Sequence, residues 1–254
     1  MTRFFRLLRK DLQASLLPLG FLSGIALIVM LFTRVRISMG SWPNEAALAA
    51  VSLPLVFLPL WLLWQSFQTL RIEWREDTVY TLLVLPLPGW KVMLAKLAAI
   101  CLEYTILLAV TAVGALIFFA PQVQQAMENL PSLLWVIRNF SLVYLFSLGV
   151  LASMVIFVQL AFVVSKMVGR VQGLIAIWTL FLSSWFVEVL GALMEPLFRW
   201  IPVLSLDRLF RLDELRAGIV FKLNLASEIG SWLGILALFV LTGVLFEHFV
   251  EVSG

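Results

Sequence analysis

Six long apolar segments, separated by shorter polar ones, dominate the pattern of hydrophobic and polar residues along the chain. Several contain roughly 18 or more nearly uncharged residues, enough for an α-helix to cross a hydrocarbon core of about 30 Å. A helix satisfies its own backbone hydrogen bonds, which a segment surrounded by lipid requires. The pattern predicts an all-α polytopic membrane protein with six transmembrane helices, at about Leu17–Phe32, Ala46–Leu70, Leu94–Ala120, Phe140–Val164, Leu174–Met194 and Ile229–Phe246.

The N-terminal residues 1–16 form an amphipathic pattern before the first span. Their large apolar side chains fall near one helical face, and the basic residues lie largely elsewhere: Arg3, Arg6, Arg9 and Lys10. This arrangement predicts a helix in the headgroup layer, anchored by those four basic residues. The alternative is a plain basic anchor on the cytoplasmic side.

Residues 195–228, before the last span, form the longest polar connection. Apolar residues recur in it at helical spacing, at Leu209, Leu212, Leu215 and Ile219. That spacing predicts an amphipathic segment on the outer leaflet. A loop packed on the helix bundle is the alternative.

The connection between the second and third spans is short and unusually charged. From Arg71 to Asp77 the signs of charge alternate, which predicts a solvated helix. Pro86 and Pro88 then break the helix, and Lys91 marks the return to the bilayer. The alternative is an ordinary basic cytoplasmic loop, which leaves the acids Glu73, Glu76 and Asp77 unexplained.

Composition agrees with a protein built for lipid. Hydrophobic residues make up 62% of the 254, charged residues 13%, and the mean hydropathy is +1.04. Soluble domains are about 45–50% apolar and about 25% charged. The net charge of +3 does not indicate nucleic-acid binding, because the basic residues stand at span ends rather than on one continuous face.

Basic residues at the span ends also predict the orientation. With both termini in the cytoplasm, the inner side carries ten of them and the outer side eight, five of which lie with acidic neighbours in residues 195–228. We therefore expect a multi-pass protein of the cell membrane, plasma or inner, with both termini cytoplasmic.

The motifs of common catalytic sites are absent from the sequence. The phosphate-binding pattern GxxxxGK[ST] needs a Gly-Lys pair, which does not occur, and HExxH and GxSxG are also missing. One cysteine, Cys101, and one histidine, His248, exclude metal sites built on several such ligands. We expect a protein that is not an enzyme and that binds no metal or cofactor itself.

Glu103 is an ionisable residue well inside the third predicted span. A charged group at such depth costs roughly 2.5–3.5 kcal/mol on insertion scales, so it tends to face the bundle interior. Thr111 continues its helical face. Glu103 is either a pathway or coupling residue or a hydrogen-bonded carboxyl that joins two helices. Its possible partners are Gln65, Gln68, Gln159 and Thr179.

Two glycine pairs have the GxxxG spacing of closely packed membrane helices. They are Gly20–Gly24 in the first span and Gly230–Gly234 at the start of the last. Either pair is a candidate seam between two copies of the chain.

The charged connection resembles a motif of the permease subunits of type-2 ABC exporters. That family commonly has an acidic-basic run, a Gly-Thr pair, a Leu-Leu pair, a proline turn and a lysine opening the next span. The corresponding residues here are Glu73-Trp74-Arg75-Glu76, Asp77-Thr78, Leu82-Leu83, Pro86 and Lys96. Asp77 departs from the usual glycine. The stretch Leu7-Leu8-Arg9-Lys10-Asp11-Leu12 is also similar to the family's interfacial elbow helix.

The resemblance implies a mechanism and a set of partners. Residues 1–254 would form a single transmembrane domain, and two permeases, identical or related, would form the translocation pathway. Separate ATPase subunits, in two copies, would bind ATP and Mg and receive the connection 71–91 as a coupling helix. The implied coupling residues are Glu73, Arg75, Glu76, Asp77 and Thr78.

Two other functions remain open from the sequence. A proton-coupled secondary transporter using Glu103 would need no ATPase. A membrane sensor or scaffold would use residues 195–228 as a docking surface. Internal repeats, which secondary transporters often have, are not visible in the sequence.

Overall fold

The protein is described by a computed structural model covering residues 3–75, 88–128, 132–168, 171–198, 200–201, 203–205 and 222–249. Helices account for most of these residues. In chain order the elements are α1 (Arg3–Ser38), α2 (Ala46–Arg75), α3 (Gly89–Phe118), α4 (Ala120–Glu128), α5 (Leu133–Val168), α6 (Gln172–Met194), β1 (Leu204–Ser205), β2 (Lys222–Leu223) and α7 (Leu225–Phe249).

Within the described residues, six helices are long and apolar enough to cross a membrane. They are α1, α2, α3, α5, α6 and α7. Helix α4, with nine residues, is too short to span. The predicted all-α polytopic membrane fold is confirmed.

Contacts divide the chain into two compact units, and the first comprises Met1–Thr69 and Ala95–Val136. It contains α1, most of α2 and α3, and α4. Its buried centre includes Met30, Ala47, Ala50 and Phe119. A Cβ added to Gly114 of α3 would lie 2.8 Å from the Met30 sulfur, so a larger residue there would require the Met30 side chain on α1 to move.

The second unit comprises Leu70–Leu94 and Ile137–Gly254. It contains the end of α2, the start of α3, and α5, α6 and α7. Helices α6 and α7 pack closely through small residues. A Cβ at Gly230 would lie 2.7 Å from the Cβ of Met194 and 2.9 Å from the Cα of Gly191. Small residues at this contact allow the two helix backbones to approach each other closely.

These contacts correct one sequence interpretation. The Gly230–Gly234 spacing packs α7 against α6 of the same chain, because both glycines face α6. It is therefore not a seam between two copies. Gly20 and Gly24 differ, since a Cβ at either would meet nothing within 4 Å.

The N-terminal residues do not form a separate element. Helix α1 runs without a break from Arg3 to Ser38, with Pro18 inside it, so the predicted interfacial helix 1–16 is the first part of a continuous helix. Its buried face also differs from the apolar face read from the sequence. Leu7, Asp11 and Ser15 are buried at steps of four residues, whereas Phe5 is 56% exposed. The buried face of α1 is set by packing against other parts of the protein. The amphipathic pattern of the sequence does not show that packing.

The two ends of the connection between α6 and α7 contact each other. Strands β1 and β2 pair antiparallel, with Leu204 opposite Leu223. The Asn224 side-chain amide donates a hydrogen bond to Oε1 of Glu195 at 2.8 Å, joining the two ends of the segment 195–228. The residues predicted to form its amphipathic face, Leu209 to Ile219, lie outside the described residues.

Candidate functional site

The charged end of α2 carries the first residues of the predicted coupling region. Helix α2 continues past Leu70 to Arg75, and Arg71 and Arg75 are exposed. Glu73, however, is only 4% exposed, so the prediction of a solvated helix is wrong for this residue. The last residues of α2, Leu70–Arg75, remain helical within the second unit, and Leu70 and Glu73 lie on a buried face there. Glu76, Asp77 and Thr78 lie outside the described residues.

Trp74 fixes this end of α2 to two other helices of the second unit. Its ring meets Phe162 of α5 at a centroid distance of 5.1 Å and an interplanar angle of 71°. It also meets Phe246 of α7 at 5.9 Å and 70°. Edge-to-face pairs of this kind contribute about 0.5–1.5 kcal/mol each beyond the burial of their area. The end of α2 is therefore packed against both α5 and α7.

The other end of the predicted coupling region is also held on α7. The backbone N–H of Gly89, the first residue of α3, donates a hydrogen bond to Oε2 of Glu247 at 3.2 Å. A carboxylate at a helix N-terminus is favoured by the helix dipole. At Gly89 a Cβ would lie 2.5 Å from the carbonyl oxygen of Gly243, and at Gly243 a Cβ would lie 2.8 Å from the Cα of Trp90. Both flanks of residues 76–87 are thus anchored on the C-terminal half of α7.

A cluster of buried polar side chains lies between α1 and α3 in the first unit. Glu103 is 1% exposed, Lys96 2%, Asp11 7% and Ser15 1%. Nζ of Lys96 is 3.8 Å from Oδ1 of Asp11, and Ser15 is hydrogen-bonded to the Glu103 carboxyl. The spacings of four residues on α1 and seven on α3 place each pair on one helical face. We call Asp11, Ser15, Lys96 and Glu103 the buried charge cluster.

The cluster confirms that Glu103 faces the protein interior but changes its partners. The sequence suggested Gln65, Gln68, Gln159 and Thr179, whereas the structure places Glu103 beside Ser15 and Asp11. Gln159 instead donates from its side-chain amide to the Met93 carbonyl oxygen at 3.3 Å.

Lys96 also has another environment than expected. It was assigned only to the opening of the third span, but it is fully buried and paired with Asp11. Two carboxyl side chains and one amine are thus almost fully buried in this cluster. The second oxygen of Glu103, Oε1, has no hydrogen-bond partner within the described part of the chain.

Thr111 lies two turns beyond Glu103 on α3, as predicted, and is 3% exposed. Its hydroxyl donates to the Leu107 carbonyl oxygen at 2.9 Å, so the group is satisfied within its own helix. It borders a cavity of about 100 Å³ whose other walls are apolar side chains of α1, α2 and α3.

The predicted interfacial anchors lie on the outside of α1. Arg3, Arg6, Arg9 and Lys10 are all exposed, on the faces that turn away from Leu7 and Asp11. This position suits contact with lipid headgroups.

The fold and these contacts define an all-α polytopic membrane protein with transporter-like architecture. No protein-family model, no curated protein and no solved structure matches the chain.

Proposed function

We propose that the chain is the membrane-spanning permease subunit of an ATP-driven ABC exporter. The charge pattern of Glu73-Trp74-Arg75-Glu76 and the absence of a phosphate-binding motif support this function. A chain of this kind takes its energy from a partner. The ATP and Mg are bound by a separate ATPase, in two copies, and a second permease, identical or related, completes the pathway.

The observation that carries the proposal is how the flanks of the coupling region are held. Trp74 on one side and Gly89 on the other both contact α7, and Trp74 also contacts α5. An ATPase that pushes on residues 76–87 acts on a segment attached at both ends to transmembrane helices. Movement of that segment is then transmitted into the membrane instead of being absorbed by a loose loop.

Co-purification tests the proposal. We expect the tagged chain, extracted from its native membrane, to bring down a P-loop ATPase and vanadate-sensitive ATP hydrolysis. Glu76→Ala with Asp77→Ala is expected to reduce both, because these acids follow the anchored end of α2. Glu45→Ala is the matched control, since Glu45 is an exposed acid beside the opposite end of the same helix. Purification of the chain without any ATPase, or equal loss in the control, contradicts the proposal.

A second function, proton-coupled secondary transport, is favoured by the buried charge cluster. Glu103 is 1% exposed inside the membrane-spanning helix α3, beside Asp11 and Ser15. An ionisable group in such a position is a candidate proton carrier.

The test of this second function uses the purified chain alone. In liposomes with an imposed pH gradient and no ATP, the secondary-transport mechanism expects proton movement that Glu103→Gln abolishes. The ABC mechanism expects no such movement from the chain by itself.

A further inference from the structure

An apolar groove lies in the first unit between α1 and α2. It consists of two adjacent cavities, of about 440 Å³ and about 100 Å³, which share Val29 and Leu53 as walls. The larger cavity exists because α2 begins with alanines. Ala46 and Ala49 form one wall of it, and their short side chains leave space that larger residues would fill.

The groove is long enough for an extended hydrocarbon chain. Its wall on α2 runs from Ala46 to Trp61, which at a rise of 1.5 Å per residue is about 22 Å. One leaflet of a bilayer is about 15 Å of hydrocarbon, half of the ~30 Å core.

The lining of the groove also suits a hydrocarbon chain. Its walls are almost entirely apolar, with Thr33 and Thr111 as polar exceptions. A hydrocarbon chain placed along such walls is stabilised by roughly 0.8 kcal/mol for each CH₂ group that it buries.

A cationic side chain stands at one end of the groove. Trp42 and Phe32 line this end and form an edge-to-face pair at 5.7 Å. The guanidinium carbon of Arg36 lies 5.4 Å from the centre of the Phe32 ring, and Arg36 is exposed. Tryptophan and arginine at the end of an apolar wall are typical of the level of lipid headgroups. The charge on Arg36 complements an anionic headgroup.

We propose that this groove binds one acyl chain of an anionic phospholipid, with the lipid phosphate at Arg36. The apolar walls take the chain, and the cation at the open end selects the headgroup charge. The proposal does not depend on the ABC assignment, because it rests on the groove alone.

Native mass spectrometry of the purified, delipidated chain tests the proposal. The probes are phosphatidylglycerol and phosphatidylcholine, added separately at equal concentration. We expect one phosphatidylglycerol to be retained per chain, with at least tenfold weaker retention of phosphatidylcholine. Leu53→Trp fills the junction of the two cavities and is expected to lower retention of phosphatidylglycerol at least tenfold. Leu48→Trp is the matched control, because Leu48 is 75% exposed on the same helix and does not line the groove.

A second pair of variants tests the headgroup separately. Arg36→Gln is expected to remove the preference for phosphatidylglycerol while leaving the retained chain. Ala49→Trp is a second groove-filling variant at a position outside the buried core, in case Leu53→Trp does not fold. Full retention in both tryptophan variants, equal retention of both lipids, or no retained lipid overturns the proposal.

Discussion

Removal of the ammonium group of Lys96 is expected to be one of the most damaging changes outside the predicted coupling region. Lys96 and Asp11 are 2% and 7% exposed, and their charged atoms are 3.8 Å apart. Exposed ion pairs are worth about 0–1 kcal/mol, but removing one partner of a buried pair costs about 3–5 kcal/mol, because a buried charge is left uncompensated. Because both side chains are buried, the cost of a buried ion pair applies to Lys96 and Asp11.

We therefore expect Lys96→Met to lower the free energy of unfolding by about 3–5 kcal/mol. Lys96→Met combined with Asp11→Asn removes both charges and should recover at least half of that loss. The assay is reversible unfolding in sodium dodecyl sulfate, followed by circular dichroism. Lys10→Met is the control, since Lys10 is exposed beside Asp11 on α1 and a change within about 1 kcal/mol is expected there. A loss below 1 kcal/mol in Lys96→Met, or no recovery in the double variant, refutes this reasoning.

Three further changes test other contacts. Trp74→Ala should lose both edge-to-face pairs, about 1–3 kcal/mol in total, and so weaken ATPase stimulation; Trp74→Phe should restore part of it, and equal activity in both variants contradicts the proposed transmission. Gly230→Ala should destabilise the chain by about 1–3 kcal/mol in the same unfolding assay, because its Cβ would collide with α6. Gly24→Ala should have no such cost, since nothing lies within 4 Å, and similar losses at both positions would argue against the α6–α7 contact. Glu103→Gln should preserve ATP-driven activity if the cluster is structural, and loss of transport with a normal unfolding energy would support the proton carrier.

The number and positions of the membrane helices could be predicted because each helix faces a uniform apolar solvent. Each helix therefore needs a long run of apolar residues, which is visible in the sequence as high hydropathy. Six such runs predict the six spans. The inward orientation of Glu103 was predictable for the same reason, since a carboxyl facing lipid would be costly.

The partners of the buried groups could not be predicted, because they lie far apart in the chain. Nothing near Lys96 in the sequence indicates Asp11, which belongs to another helix. Glu73 shows the same limit in another form. The alternating charges around it predicted a solvated helix, but this end of α2 is packed against α5 and α7 through Trp74, and Glu73 is buried.

The helix that Gly230 and Gly234 contact also could not be predicted from the sequence. The GxxxG spacing at Gly230–Gly234 indicates that another helix approaches closely, but it does not say whether that helix belongs to the same chain. The positions of Leu190, Gly191 and Met194 on α6 show that the contact is within one chain.

Crosslinking from the predicted coupling region tests the central claim most directly. Cys101 is the only cysteine, so Cys101→Ser provides a background in which one new cysteine is labelled with a photoactivatable crosslinker. From Asp77→Cys in native membranes we expect a crosslinked product that contains a P-loop ATPase. From Glu45→Cys, beside the other end of α2, we expect none. Equal crosslinking at both positions, or no ATPase crosslinked at position 77, would contradict coupling through residues 71–91.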